Sequence, residues 1–201
     1  MATTTATRGI YAKTPERRAE ILDAALEVFA DAGFRSGSLR EIADKAGMSQ
    51  AGLLHHFGSK KRLLAAVLEH RDEINMGFFD LNSRDGLAYL RGLLRLVAHN
   101  CSVPGLVEVY CQLSAEATSA DHPAHDYFAA RYVRIRKIMA DSLRDVDAKG
   151  FLREGSDPDE VARDVLALSD GLQVQWLFAG KSFDMTRVLR RYLAEHITVE
   201  L

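Results

Sequence analysis

The run Ser38-Leu39-Arg40-Glu41-Ile42-Ala43-Asp44-Lys45-Ala46-Gly47-Met48-Ser49-Gln50-Ala51-Gly52-Leu53-Leu54-His55-His56-Phe57 constrains the fold more than any other part of the chain. It carries the punctuation of two short helices joined by a tight turn. Ser38 is an N-cap residue, and Glu41 three positions on completes a capping box. Leu39, Ile42 and Ala43 fall on one face at helical spacing, and Gly47 supplies a residue that tolerates positive φ. Ser49 then caps a second helix whose Leu53 and Phe57 turn inward. Helix, glycine-containing turn and helix is the arrangement whose second member enters the major groove of DNA.

The flanking sequence extends this unit. Thr14-Pro15 opens an earlier helix with a cap and a first-turn proline, its apolar set is Ile21, Ala24, Ala25, Val28 and Phe29, and Ala32-Gly33-Phe34 is expected to stop it. Ser59 caps a long helix that begins Lys60-Lys61-Arg62-Leu63-Leu64. Arg18, Ile21, Ala24, Ala25, Phe29, Gly33, Ile42, Ala43, Ala46, Gly47, Ser49, Leu53, His56, Phe57, Ser59, Lys60 and Leu63, taken in order, resemble the N-terminal domain of the tetracycline-repressor (TetR) family over roughly residues 14 to 70. The order ending Phe57-Gly58-Ser59-Lys60 is the specific part. The remaining two thirds matches in helical layout.

The rest of the chain reads as helices near 85–100, 104–119, 123–148, 158–179 and 184–197, after a fourth helix over 60–79 that the Asn82–Gly86 cluster ends. Pro104 and Pro123 stand near two helix starts, and Asp157-Pro158 and Asp184 mark two more. No strand alternation or repeat interrupts this pattern. The expected fold class is all-α, about nine helices in total: a flexible tail over 1–13, a three-helix helix-turn-helix DNA-binding domain over 14–58, and a helical effector-binding and dimerisation domain over 59–201.

Composition narrows the class further. With 47% hydrophobic and 27% charged residues the chain has the make-up of a soluble protein. No apolar run approaches the ~20 residues that span a bilayer. The N-terminus lacks the apolar stretch of a signal peptide. Cys101 and Cys111 show no metal-ligand spacing, and a reducing cytoplasm is the expected setting. The net charge of −2 hides a split: residues 8 to 62 hold ten Lys/Arg against seven Asp/Glu, and the remainder sixteen against twenty-one. A basic end on an acidic body is the asymmetry of a protein that meets phosphate at one end.

With Leu53 and Phe57 inward, Gln50, Ala51, Gly52, Leu54 and His55 are left for DNA. Gln50 is the base reader, since its amide pairs bidentately with adenine. The resemblance implies a phosphate contact for His55, while Ser38, Arg40, Ser49 and Lys60 are backbone contacts by position. Relatives often carry Tyr where Leu54 stands and Thr where Gly52 stands; the departure removes two hydroxyls and shifts readout toward apolar or water-mediated contacts. The resemblance also implies a body cavity for a small-molecule effector of unknown identity, with Phe79, His99, Asn100, Tyr110, Phe128, Tyr132, Asp170, Gln173 and Trp176 as candidates. Asp170 and Gln173 stand out because burying them requires partners. The last two helices, joined by a short loop, should be antiparallel neighbours, and the resemblance implies that they pair with their twin across a two-fold axis. Val165, Leu168, Gly171, Leu172, Val188, Leu189 and Tyr192 are the expected homodimer contacts.

The reading that follows is a sequence-specific regulator, a repressor binding a palindromic double-stranded DNA operator as a dimer and released by an effector, with no membrane partner, cofactor or metal. One alternative is a helix-turn-helix regulator or activator without an effector. Another is a helical metal-dependent enzyme, drawing ligands from Glu108, Glu116, His122 and His125. No Ser/His/Asp or Cys/His set or Glu-x-x-His pattern supports catalysis.

Overall fold

The computed structural model describes residues 15–80 and 84–201, which form nine α-helices. The expected 1–13 tail and part of the 82–86 cluster lie outside the described residues. The chain divides into two compact units that part between Arg71 and Asp72, within α4, rather than at the 58/59 junction expected from the sequence.

The first unit contains α1 (Pro15–Ser36), α2 (Leu39–Lys45), α3 (Gln50–Phe57) and most of α4 (Lys60–Met76). Its core is built from Ile21, Ala25, Val28 and Phe29 of α1, Ile42 and Ala43 of α2, Leu53 and Phe57 of α3, and Leu63, Leu64, Val67 and Leu68 of α4. Those last four explain why the unit boundary falls so late: the apolar stripe at the start of α4 belongs to the first core. α1 does not stop at Ala32-Gly33-Phe34 as expected but runs to Ser36. Gly33 lowers helix propensity by only about 1 kcal/mol, and the packing of Phe34 against Phe29, with ring centroids 5.8 Å apart, goes with the longer helix.

The second unit contains the end of α4, α5 (Gly86–Ser102), α6 (Pro104–Glu116), α7 (His125–Ala148), α8 (Pro158–Phe178) and α9 (Met185–His196). α5 and α8 each pack against α6, α7 and α9. Leu90, Leu94, Val107, Met139, Leu143, Val165, Leu172, Trp176, Leu189 and Leu193 are among the side chains buried between them. α4 ends at Met76, earlier than the expected 79, through three successive i,i+3 turns at Gly77, Phe78 and Phe79. Tyr192 Oη donates to Asp164 Oδ2 at 3.1 Å, joining the end of α9 to the start of α8, as antiparallel neighbours require. Beyond α9 the chain forms a single antiparallel bridge, Leu152 with Ile197.

Asp85 caps α5 through the Leu87 amide, and the Gly86 amide donates to Asp145 Oδ2 of α7 at 2.7 Å. That approach requires glycine: a Cβ on Gly86 would lie 2.0 Å from the Ser142 carbonyl oxygen, and one on Gly92 would lie 2.8 Å from both the Phe78 carbonyl oxygen and the Phe79 ring. Gly86→Ala is expected to destabilise the protein by about 2 kcal/mol or more in urea unfolding, because backbone cannot yield as a flexible side-chain tip can. Gly105→Ala, where a Cβ would meet nothing within 4 Å, is the control and should leave the midpoint unchanged or raised.

Candidate nucleic-acid interface and effector region

The helix-turn-helix is assembled by bonds that its own sequence anticipates and by arginines that it does not. Ser38 Oγ accepts from the Arg40 amide at 3.2 Å, and Ser49 Oγ from the Gly52 amide at 3.1 Å, so both hydroxyls act as helix caps. Gly47 takes φ +62° in the turn, and Gly58, at φ +75°, ends α3 by donating its amide to the Leu54 carbonyl at 2.7 Å. Arg17 of α1 donates to the carbonyl of Ala46, the C-cap of α2. The Arg18 guanidinium lies 5.0 Å from the centroid of the Phe57 ring. These two arginines fix the turn and the inner face of α3 against α1.

With Leu53 at 0% and Phe57 at 7% exposure, the opposite face of α3 points to solvent. Gln50, Ala51 and His55 are exposed, whereas Gly52 and Leu54, expected on the same outer face, are half-buried at its flanks. Ser38, Arg40 and Ser49 are exposed as well. Arg40 keeps a loose pair with Asp44 at 3.9 Å. Lys60 is half-buried, its ammonium 4.8 Å from the centroid of the Phe34 ring.

In the body, four of the nine candidate effector residues converge. Tyr132 Oη donates to Asp170 Oδ2 at 2.7 Å, and Tyr110 Oη lies 3.3 Å from Asp170 Oδ1 and 3.3 Å from Tyr132 Oη. Tyr110 has one proton; since Tyr132 gives its own to the carboxylate, Tyr110 donates to the other carboxylate oxygen. It accepts in turn from Arg131 Nη1 at 3.2 Å. Arg131 Nε donates to Asp72 Oδ1 at 3.0 Å, and Arg134 Nη2 to Asp72 Oδ2 at 2.7 Å. A continuous polar chain thus runs from the end of α4 through α7 and α6 to α8. Phe128 packs beside it, its ring centroid 5.8 Å from that of Tyr110. Tyr132 and Asp170 also line an open cleft of about 310 Å3 between α7 and α8.

The other candidates take different partners. Phe79 stacks on Tyr89, with centroids 4.8 Å apart, and the two line a separate cleft of about 490 Å3 with Met76 and Ile138. His99 packs on Phe78 at 4.9 Å, and Trp176 is a core residue. Asn100 Oδ1 and Gln173 Oε1 are buried carbonyl oxygens that receive no hydrogen bond; Gln173 uses only its amide nitrogen, on the Ser169 carbonyl at 3.1 Å. Each such acceptor costs roughly 1–3 kcal/mol unless a donor from water or ligand reaches it. Of the four residues of the metal-enzyme alternative, Glu108 pairs with Lys181, while His122 faces Glu116 at 3.4 Å and His125 bonds the Ala117 carbonyl. Among the described residues no group of three potential ligands gathers for a metal, and no helix is long and apolar enough to cross a membrane.

The structure places the expected dimer contacts at different depths. Val165, Leu172 and Leu189 are buried in the protomer's own core, and Leu168, Val188 and Tyr192 pack against that core from its edge. Periodicity identifies an apolar face but not what covers it, and for Val165, Leu172 and Leu189 the same chain covers it. The unpartnered face of α8 lies elsewhere: Ala167, Gly171, Val174 and Phe178, at helical spacing, with Val174 at 43% and Phe178 at 90% exposure. Gly171 needs no bareness for its own fold, since a Cβ there would meet nothing nearer than Gln175 Nε2 at 3.8 Å. Arg131 and Asp72 give no local sign in the sequence that they pair across 59 positions.

Burial opposes the Arg131 charge, but Tyr110 and Asp72 outweigh it and hold its pKa above the ordinary arginine value. Burial, then Tyr110 and Asp170, raise the Tyr132 phenol above 10.0, and burial pushes Tyr89 up to about 12. Burial, followed by the hydrogen bond to Asp164, likewise lifts Tyr192 to about 12. A raised native pKa gives stability that is complete below the unfolded value and is lost as pH climbs toward the native one. Unfolding free energy should therefore fall above pH ~10. Tyr132→Phe should make that fall shallower, as measured by urea unfolding at stepped alkaline pH. Absorbance titration at the phenolate band should show these three phenols ionising later than free tyrosine.

Comparison with known proteins agrees with this architecture. The family profile for bacterial regulatory proteins of the tetR family matches residues 21–67, and that for the C-terminal domain of BetI-type transcriptional repressors matches residues 90–198. The chain is 30% identical over 181 residues to the HTH-type transcriptional repressor KstR2 of Mycolicibacterium smegmatis, covering 89% of this chain and 87% of that one. A putative transcriptional regulator from Saccharomonospora viridis, solved in complex with choline, superposes with a TM-score of 0.72 at 27% identity, covering 92% of this chain and 98% of that one. A TetR transcription regulator from Haloarcula marismortui shares the fold with a TM-score of 0.78 at 20% identity, over 92% and 100% of the two chains. With both its turn motif and its helical body matched in register, the chain belongs to the TetR family of DNA-binding transcriptional regulators, which are not enzymes.

Proposed function

We propose that this chain is a homodimeric repressor that occupies a palindromic operator and is released from it by a small organic effector. The observation that carries the reading is the exposure of Gln50, Ala51 and His55 on an α3 held by Leu53 and Phe57. Gln50 reads a base edge, His55 meets a phosphate, and Ser38, Arg40, Ser49 and Lys60 add backbone contacts. One such helix makes too few base contacts for tight specific binding; two, about 34–36 Å apart on successive turns of the groove, make enough. The α8 face of Ala167, Gly171, Val174 and Phe178 supplies the surface for pairing, because small residues at its centre allow two helices to close on each other and the exposed ring needs cover.

Three observations favour an effector. The polar chain of Tyr110, Tyr132 and Asp170 beside Phe128 lies within the body, and Asn100 and Gln173 keep buried acceptors without donors. A relative is solved with choline bound, and a close profile describes repressors. Release then follows from differential affinity: the effector binds more tightly to a dimer conformer with weaker operator affinity, and the coupling equals that difference.

Replacing both Gln50 and His55 by Ala should abolish footprints on a recovered operator while the protein elutes as the same dimer; undiminished protection would reject α3 as the reader. Changing both Val174 and Phe178 to Asp should yield a folded monomer by light scattering, with operator affinity down at least tenfold. A dimer of unchanged mass would move the interface off this face.

A further inference from the structure

The outward face of α3 is poor in hydrogen-bonding groups. Of the five positions of α3 assigned to DNA, Ala51, Gly52 and Leu54 carry no polar side-chain atom, leaving Gln50 and His55. Ala51 and Leu54, three positions apart, are neighbours on the helix surface, with His55 one turn from Ala51. Gly52 adds no side chain, and a Cβ there would press to 3.2 Å from both Met48 Cε and Ser49 Oγ. A glycine within a helix this short is a local cost of about 1 kcal/mol that brings bare backbone to the reading face. Leu54 is half-buried although the apolar seat of α3 is already filled by Leu53 and Phe57.

An aliphatic face needs an apolar counterpart in the groove. Among the base edges that the major groove displays, the apolar group is the C5-methyl of thymine; the other features are hydrogen-bond donors and acceptors. Resting on the DNA-binding reading above, we propose that Leu54, with Ala51 beside it, is the specificity-determining contact of this regulator and reads thymine methyl groups. The operator half-site then contains thymines recognised by shape and dehydration of the methyl, next to the adenine-type contact assigned to Gln50.

The test uses the full-length protein and a duplex that it enriches from a random-sequence pool. Each thymidine of the half-site is replaced singly by deoxyuridine, which removes only the methyl and keeps base pairing. At one or more positions the affinity should fall about fourfold, the equivalent of one buried methyl group. The Leu54→Ala protein, checked for its fold by circular dichroism, should bind the thymidine duplex more weakly and bind the deoxyuridine duplex equally well. Affinities that stay within twofold at every replaced position overturn the proposal. A Leu54→Ala protein that keeps the full methyl penalty overturns the role of Leu54. Failure to enrich any sequence would overturn the DNA-binding reading and this inference with it, a result distinct from the other two.

Discussion

The seating of Leu53 and Phe57 in the first core decides what α3 shows to solvent, and so what the head offers to a partner. Both side chains lie on one side of an eight-residue helix, and burying them leaves little freedom to rotate about its axis. Arg17 and Arg18 of α1 tighten the arrangement, one at the carbonyl that ends α2 and the other over the Phe57 ring. Gly47 and Gly58 supply the positive φ values at either end of α3. The outer face of α3 is thus held in one orientation by the core of the unit itself.

The body is organised differently, with a line of charge and hydroxyl groups inside an otherwise aliphatic bundle. Arg131 has a side-chain exposure of 12%, and an isolated cation there would be expensive. Asp72 and Tyr110 offset that cost, and the Tyr110 hydroxyl passes the requirement on to Asp170 and Tyr132. Such a chain has few geometries in which every member is satisfied, so a ligand that takes one hydroxyl or carboxylate alters the partners of the rest. Through Asp72 the last turns of α4 belong to the same polar chain.

Much of the molecule was legible in the sequence because local signals and tertiary packing agree. Ser38, Ser49, Ser59, Asp157 and Asp184 all cap the helices they announce. The inward and outward sides of α3 followed from the spacing of Leu53 and Phe57 alone. Gly33 misled, because its weak helix propensity was outweighed by the side chains around it. Polar or aromatic character within apolar stretches marks Tyr110, Tyr132 and Asp170, which the structure brings together, no differently from Phe79 and His99, which pack elsewhere.

The sequence by itself determined the helices, their order, the turn motif and the outward residues of its reading helix, since these depend on neighbours within about one helical turn. Only the tertiary structure decided which apolar stripe of α8 is spent on the protomer's own core and which is left open, and which distant charges pair. Val165 and Leu172 were indistinguishable from Val174 and Phe178 by hydrophobicity. Their different fates depend on where α5, α6, α7 and α9 pack around α8, and the pairing of Asp72 with Arg131 likewise rests on a contact between residues far apart in the chain. Local chemistry writes an amphipathic helix; long-range packing chooses its partner.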